Sequence, residues 1–258
     1  SHGGNNSNSP YSGHQISVSI TGRVADINNQ PLAGVQVKIQ GSTTITDQYG
    51  IYRFFDINVD SKRAYIKFSK AGYFNGSKAF RPSKGSIHQM NGALIPMNLA
   101  GSVSNTSGGS ITLPSGLELT FEPGDVAYEN GNSYNGTIKV YAHYLDPTDA
   151  SVNSIMPGDL MALNSNQSLV YLKSYGMAAV ELRSETGAKL NVAPNKTVEI
   201  GFPIQSSQLA TAPEQIPLWY FDEANGVWKE EGMSGVTQTS QWLGAEAVEL
   251  PTSHGRFS

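Results

Sequence analysis

The side chains best suited to bind a ligand are aromatic residues on either side of a short turn in the C-terminal third of the chain. Trp219, Tyr220 and Phe221 precede this turn and Trp228 follows it. Successive side chains of a strand point to opposite faces, so Trp219 and Phe221 share one face and Tyr220 lies on the other. Exposed indoles would stack on sugar rings or anchor a partner, whereas buried indoles would fill a β-sandwich. Trp219, Tyr220 and Trp228 are therefore candidate ligand-binding residues, with a core role as the alternative.

The acidic and histidine side chains follow no pattern specific to a catalytic or metal site. Paired carboxylates do acid–base chemistry only where burial or proximity separates their pKa values, and a calcium site needs several oxygens to converge. The sequence specifies neither arrangement, so we expect solvated turn residues, with a calcium site as the open alternative. A histidine on a strand, such as His143, is typical of a packing or surface residue. The groups considered are Asp56 with Asp60, Asp146 with Asp149, Asp222 with Glu223, and His14, His88, His143 and His254.

The commonest enzyme motifs are missing from the sequence. It contains no Gly-x-Ser-x-Gly, His-Glu-x-x-His, phosphate-loop or EF-hand pattern. The chain also has no cysteine, which excludes disulfides, thiolate zinc sites and cysteine nucleophiles. We therefore expect a protein that is not an enzyme and that has no cofactor and no metal site.

The charge balance and the hydropathy argue against two classes of partner. The chain has 17 Lys and Arg against 21 Asp and Glu, a net charge of −4, whereas nucleic-acid binding needs clustered basic residues. No stretch approaches the roughly 18 consecutive apolar residues of a membrane helix. We expect no nucleic-acid partner and no membrane span in this chain.

Apolar residues recur with a period of two along most of the chain, which predicts short strands and little helix. Turn-forming residues separate these strands at the spacing typical of a β-sandwich. The sequence predicts an all-β protein of two consecutive β-sandwich domains. The stretch 145–167 is long for a loop, and we expect a short strand within it around residues 160–162. A hairpin closed by Asn-Gly is expected at residues 217–228.

Two polar segments divide the chain. Residues 1–14 are rich in Gly, Asn and Ser and too poor in apolar groups to offset the entropy of ordering them, which predicts a tether. Residues 99–109 form a second polar stretch and are the expected linker. The expected domains are therefore residues 15–98 and residues 110–258.

Several residues carry the chemistry of tight turns. Pro31 presets a turn, and Gly34 lets the chain enter the next strand. Asp47 and Gly50 close a later turn, and an alanine at Gly50 costs more than about 1 kcal/mol if its φ is positive. The turn residues singled out in the two domains are Pro31, Gly34, Asp47, Gly50, Pro114 and Gly116.

Four short motifs of the first domain have the spacing of a known family. They are Thr21-Gly22-Arg23-Val24, Pro31-Leu32-Ala33-Gly34-Val35, Thr46-Asp47-Gln48-Tyr49-Gly50 and Tyr52-Arg53-Phe54. Through them, residues 16–98 resemble the carboxypeptidase regulatory-like family. That resemblance implies a small transthyretin-like, or prealbumin-like, sandwich that is appended to secreted, surface and outer-membrane proteins and is not itself catalytic.

A second set of motifs lies in the second domain. They are Gly108-Gly109-Ser110-Ile111-Thr112-Leu113-Pro114-Ser115-Gly116, Phe121-Glu122-Pro123-Gly124, Met156-Pro157-Gly158-Asp159-Leu160 and Pro217-Leu218-Trp219-Tyr220-Phe221-Asp222. This region is similar to the extracellular module of cartilage intermediate layer proteins, which follows a regulatory-like sandwich in those proteins as it does here. The absence of cysteine departs from the animal relatives and implies a bacterial member, of Bacteroidetes type.

The first of these motifs also resembles the spectrin-binding domain type of ankyrins and netrin receptors. Some relatives of that type cleave themselves in a His-Phe-Ser motif, where the serine hydroxyl attacks the preceding carbonyl. The chain ends in His254-Gly255-Arg256-Phe257-Ser258, with the histidine displaced two positions from that pattern. Self-cleavage at Phe257-Ser258 is therefore an alternative function.

These observations predict a non-catalytic structural or interaction module of an exported or surface-anchored bacterial protein. We expect it in the periplasm or on the outer-membrane surface, with a lipid anchor upstream and a protein or glycan partner at the cell surface. One alternative is a carbohydrate-binding accessory module that uses exposed aromatic residues. The other is an autoproteolytic processing module.

Overall fold

The computed structural model describes residues 12–214, 216–232 and 242–249. Strands make up 52% and helix 2% of the structure, which confirms the predicted all-β class and the multi-sheet β-sandwich. The chain divides into two compact units: the first ends at Pro96 and also includes residues 154–159, and the second includes residues 97–153 and the chain from Leu160 onward. No helix in the described ranges is long and apolar enough to cross a membrane.

The first unit consists of two packed sheets. Its strands are β1 (Gln15–Asp26), β2 (Gln36–Ile39), β3 (Ser42–Ile45), β4 (Ile51–Asp60), β5 (Ala64–Ser69), β6 (Gly76–Phe80), β7 (Ile87–Gln89) and β8 (Gly92–Leu94). One sheet has β1 at its centre, antiparallel to β4 and parallel to β7 and β8. The other is antiparallel throughout, in the order β3-β2-β5-β6. Both sheets contribute side chains to one apolar core.

The period of two in the sequence explains this core. Along β1, Ile16, Val18 and Ile20 are buried, whereas Ser17 and Ser19 between them are partly exposed. Each fully buried side chain of this kind stabilises the fold by about 1.5–3 kcal/mol. The alternation therefore determines which face of each strand points inward.

The second unit contains the remaining strands. They are β9 (Leu99–Ser104), β10 (Gly109–Thr112), β11 (Glu118–Phe121), β12 (Val126–Tyr128), β13 (Thr137–Leu145), β14 (Met161–Leu163), β15 (Leu169–Arg183), β16 (Lys189–Val192), β17 (Glu199–Gly201), β18 (Leu218–Asp222), β19 (Val227–Gly232) and β20 (Trp242–Glu249). A three-stranded sheet, β10-β11-β17, and the strands β9, β13, β15, β16 and β12 share one apolar core.

The expected linker at residues 99–109 is wrong. Its first part is strand β9, which pairs with β13 and places Val103 in the core of the second unit. Backbone groups form a ladder whatever the side chains are, so a Ser- and Gly-rich segment is still able to pair. Gly101 packs closely there, because a Cβ at this position would lie 3.0 Å from Ile111 Cδ1.

Five strands of the second unit form a closed sheet. Strand β15 pairs with β14, β14 with β19 in parallel, β19 with β18, β18 with β20, and β20 returns to β15. A sheet closed in this way has no open edge. We call these five strands the closed five-strand sheet.

The irregular stretch 145–167 is only partly a loop. It holds one turn of helix, α1 (Val152–Ile155), and the expected short strand, which is β14. Residues 154–159, here called the inserted segment, belong to the first unit.

The expected tether lies mostly outside the described residues. Of its described part, Gly13 and His14 are held by hydrogen bonds. The Gly13 amide donates to Asp60 Oδ2 at 2.7 Å, and His14 O accepts from the Ser61 amide at 2.9 Å.

Candidate functional site

The predicted hairpin is present, but its indoles do not face solvent. Strands β18 and β19 pair antiparallel across the turn that Asp222 begins. Trp219, Phe221 and Trp228 are each 0% exposed, and Tyr220 on the opposite face is partly exposed. The prediction that Trp219 and Trp228 bind a ligand through exposed faces is therefore wrong.

The indoles are buried because the hairpin forms part of the closed five-strand sheet. Phe221 lies opposite Trp228, which lies opposite Ala162, which in turn lies opposite Val170. Residues that are paired across strands share a face, and all four of these are buried. The sequence could not predict this arrangement, because the alternation of side chains does not say which distant strands pair with β18 and β19.

The turn of the hairpin is held by Asp222. Its Oδ1 accepts hydrogen bonds from the amides of Ala224 and Asn225, and its Oδ2 lies 2.6 Å from Lys229 Nζ. Burial opposes ionisation of Asp222, but the hydrogen bonds from Asn225 and Lys229 outweigh it and hold the pKa of this carboxyl below its usual value. This carboxylate therefore stabilises the turn.

The turn residues predicted in the first unit surround a buried threonine that the sequence analysis missed. Thr46 Oγ1 donates to Leu32 O at 2.6 Å and accepts from the Val35 amide at 2.9 Å. It thereby connects the turn that starts at Pro31 to the turn of Asp47. A threonine between Ile45 and Asp47, just before a turn, gives no sequence signal of this role.

Gly34 and Gly50 adopt the backbone conformation expected of turn glycines. Their φ angles are +70° and +75°. Asp47 Oδ1 accepts from the amides of Tyr49 and Ile51, at 2.9 Å each. A Cβ on Gly50 would lie 2.3 Å from Val24 O, so this position requires glycine for space as well as for φ.

Pro114 and Gly116 lie in the tight turn between β10 and β11. The Leu113 amide donates to Leu117 O at 2.8 Å, and Gly116 has a φ of +94°. A Cβ on Gly116 would contact Pro203 at 3.2 Å. This turn shapes the hairpin and offers no reactive group.

The histidines that the structure describes take part in packing and hydrogen bonding. His88 Nε2 accepts from the Ser83 amide at 3.1 Å, and its ring packs on Phe80 with centroids 5.0 Å apart. His143 lies opposite Ala179, and burial lowers the pKa of its imidazole. His254, with the Phe257-Ser258 bond, lies outside the described residues.

The acidic pairs do not assemble a metal site. Asp146 and Asp149 each accept hydrogen bonds from residues two positions ahead in the same loop, and the bonds from Ser151 lower the pKa of Asp149. Asp60 caps its own turn by accepting from the amides of Lys62 and Arg63. Across the described ranges, no group of three or more His, Asp or Glu side chains is placed to hold a metal ion.

A buried asparagine in the second unit was also missed. Asn105 Nδ2 donates to Val126 O at 2.7 Å and to Tyr134 O at 2.6 Å, and its Oδ1 accepts from the Val126 amide at 3.1 Å. Asn105 O accepts from the Gly124 amide, so this residue also holds the Phe121–Gly124 motif. The sequence around Asn105 is polar and typical of a linker, so it gave no indication that this side chain is buried.

Sequence reasoning also missed two buried charged groups that form ion pairs. Arg63, 7% exposed, forms an ion pair with Asp159 of the inserted segment. Glu181, 4% exposed, contacts the guanidinium of Arg183 two residues along the same strand. Each charge has a counter-charge, as buried ions require.

Comparison with known proteins shows similarity to cartilage intermediate layer proteins. The chain is 31% identical to cartilage intermediate layer protein 2 of Mus musculus over 116 residues, which are 45% of this chain and 10% of that protein. It is 32% identical to cartilage intermediate layer protein 1 of Sus scrofa over 108 residues, 40% of this chain and 17% of that protein. The names of these relatives do not describe an enzyme, and the chain spans only a small part of their length.

Solved structures give weaker likenesses. The TIE protein of Bacillus anthracis has a TM-score of 0.28 at 12% identity, over 74% of this chain and 46% of that one. A Bacteroides uniformis protein proposed to bind carbohydrate has a TM-score of 0.25 at 11% identity, over 73% of this chain and 100% of that one. At these TM-scores neither likeness carries an argument about function. No family model matches the chain, so the similarity to cartilage intermediate layer proteins, over less than half of its length, is the sequence relationship found.

Proposed function

We propose that the chain is a non-catalytic structural and interaction module of an exported, surface-anchored bacterial protein. The observation that carries this proposal is the use made of the buried polar side chains. In both units they hold turns and backbone segments in place through hydrogen bonds to main-chain groups.

The first unit illustrates this use. Thr46 is 4% exposed, and its hydroxyl both donates to and accepts from backbone groups of the neighbouring turn. Asp60, 9% exposed, accepts from three backbone amides. A carboxylate engaged in this way is a structural cap and is poorly placed to exchange protons with a substrate.

The second unit follows the same pattern. Asn105 and Asp125 are each 2% exposed and hold the loop that precedes β12, with Asp125 Oδ2 accepting from the Glu122 amide at 2.7 Å. Trp219 and Trp228 fill the closed five-strand sheet. A carbohydrate-binding role through these indoles is not part of the proposal, because both are buried.

Two finer assignments belong to the same proposal. The first unit is a carboxypeptidase regulatory-like, transthyretin-like sandwich, which its two sheets and its turn motifs support. The second is a module of the type found in cartilage intermediate layer proteins, which its sequence motifs support. The two domains divide near Pro96, and the polar segment before Gly13 is a tether.

The location is the bacterial envelope, with a lipid anchor upstream of the chain and a surface protein or glycan as its partner. The absence of cysteine and the polar N-terminal segment support this placement. Proteolysis of producing cells whose outer membrane has been permeabilised tests it: added protease should remove the chain while a cytoplasmic marker survives. Protection of the chain until the inner membrane is also broken would contradict the location.

Cross-linking on the same intact cells tests the interaction role. The chain should be recovered in a reproducible cross-linked complex with a surface protein or glycan. Recovery of the chain only as an uncross-linked species, at every reagent concentration that cross-links a known surface complex, would contradict it.

A further inference from the structure

The inserted segment extends a sheet of the first unit. Strand β6 is the last strand of the sheet β3-β2-β5-β6. On its outer side, the Gly158 amide donates to Ser77 O at 3.1 Å, and the Ala79 amide donates to Gly158 O at 3.3 Å. Two bonds that flank Lys78 in this way have the pattern of a parallel strand pair. Addition of a short extended segment to a sheet edge is a common mode of peptide recognition.

The side chain of Arg63 binds the carboxylate at the end of this segment. Arg63 Nη2 donates to Asp159 Oδ1 at 2.9 Å, and Arg63 Nε donates to Asp159 Oδ2 at 3.3 Å. The Arg63 side chain is 4% exposed, and that of Asp159 is 34% exposed. A guanidinium fork fixed by burial is selective for a carboxylate in one orientation.

Two further side chains hold the backbone of the segment. Lys78 Nζ donates to Met156 O at 2.9 Å, and Ser77 Oγ accepts from the Gly158 amide at 3.0 Å. Met156, Pro157 and Gly158 are all buried. Backbone pairing, a carboxylate receptor and the buried residues of the segment thus lie together at one edge of the sheet.

We propose that this edge of the first unit is a peptide-binding site for an extended Met-Pro-Gly-Asp segment, and that residues 156–159 of the chain itself are its resident ligand. The site takes the same sequence as a separate peptide once the resident segment is altered. In the unmodified chain the linked segment excludes the peptide, because linkage gives it an effective concentration in the millimolar range. This inference does not depend on the function proposed above.

The test uses the full chain and a peptide with the sequence of residues 153–161. A variant with Met156→Ser, Pro157→Gly and Asp159→Ala empties the site, and peptide binding is followed by fluorescence anisotropy. We expect saturable binding to this variant, none to the unmodified chain, and binding at least about tenfold weaker when asparagine replaces the aspartate of the peptide. Adding Arg63→Lys to the emptied variant should abolish the preference for aspartate, since lysine lacks the fork.

The proposal is overturned if the folded, emptied variant shows no saturable binding, or binds the aspartate and asparagine peptides equally. If the triple variant does not fold, Asp159→Asn replaces it, because asparagine preserves the size of the side chain. The Asp159→Asn chain should bind the aspartate peptide where the unmodified chain does not. Identical behaviour of the two chains would overturn the proposal.

Discussion

The rings of Phe221 and Trp228 meet edge to face, with centroids 5.3 Å apart and planes at 61°. They lie opposite each other on β18 and β19, inside the closed five-strand sheet. Aromatic pairs in this geometry add about 0.5–1.5 kcal/mol to the free energy gained by burying the rings. The aromatic residues that look most like a binding surface in the sequence therefore fill a core.

Trp228→Ala should lower the free energy of unfolding by about 3–5 kcal/mol, because it leaves a cavity where the indole was buried. Urea denaturation followed by circular dichroism measures the change. Tyr171→Ala is the matched control, since Tyr171 is an aromatic residue of the same closed five-strand sheet that is 50% exposed. It should cost under about 1 kcal/mol, and equal losses in the two variants would contradict the buried position of Trp228.

Gly50→Ala should destabilise the first unit more than Gly41→Ala does. Both glycines have positive φ, +75° and +84°, so both alanines bear the strain of a left-handed conformation, about 1–2 kcal/mol. Only at Gly50 does the new Cβ meet a backbone atom, Val24 O at 2.3 Å, whereas at Gly41 nothing lies within 4 Å. Thermal unfolding compares the two variants, and a Gly41→Ala loss as large as that of Gly50→Ala would refute the close contact.

Much of the fold follows from the sequence, for reasons that particular residues illustrate. Ile16, Val18 and Ile20 alternate with serines, and that local pattern determines the strand and its buried face. The hairpin at Asp222 is equally local. Closure of the five-strand sheet is not, because it depends on β14 pairing with β19 far along the chain.

The buried polar residues could not be predicted from the sequence, for a different reason. Arg63 and Asp159 are separated by 96 positions, and no spacing rule connects side chains at that distance. Asn105 lies in a segment whose composition resembles a linker, yet its backbone carbonyl accepts a hydrogen bond from the Gly124 amide. Burial of a polar side chain depends on tertiary packing, which a single sequence does not display.

Asn105→Ala should lower the free energy of unfolding by at least about 3 kcal/mol, because three buried backbone groups of Val126 and Tyr134 lose their partner at about 1–3 kcal/mol each. Urea denaturation provides the measurement. Asn130→Ala is the control, since Asn130 is exposed and accepts one bond from the Asn132 amide. A loss at Asn105 no greater than that at Asn130 would show that the buried amide does not hold this loop.

Stability should rise with pH above about 8 through Lys78, because burial lowers the pKa of its ammonium to about 8 from the ordinary 10.5. Between these two values the unfolded chain binds more protons at this residue than the folded chain, so the free energy of unfolding increases with pH. Below about pH 8 the folded state carries the full cost of the buried charge.

Lys78→Met isolates this effect from other groups that titrate. The stability difference between Lys78→Met and the unmodified chain should change by on the order of 1–2 kcal/mol from pH 7.5 to 9.5, in favour of the unmodified chain at the higher pH. Urea denaturation at each pH measures it. Parallel pH profiles would mean that Lys78 titrates as it does in water.

The central claim is that the side chains able to bind or react are buried and stabilise the fold. The reactivity of the indoles tests this claim most directly. The chain has three tryptophans, and titration of the native protein with N-bromosuccinimide counts those that solvent reaches. Because Trp219 and Trp228 are fully buried, no more than one indole should be oxidised before the chain unfolds. Oxidation of two or three indoles in the native protein would contradict the account.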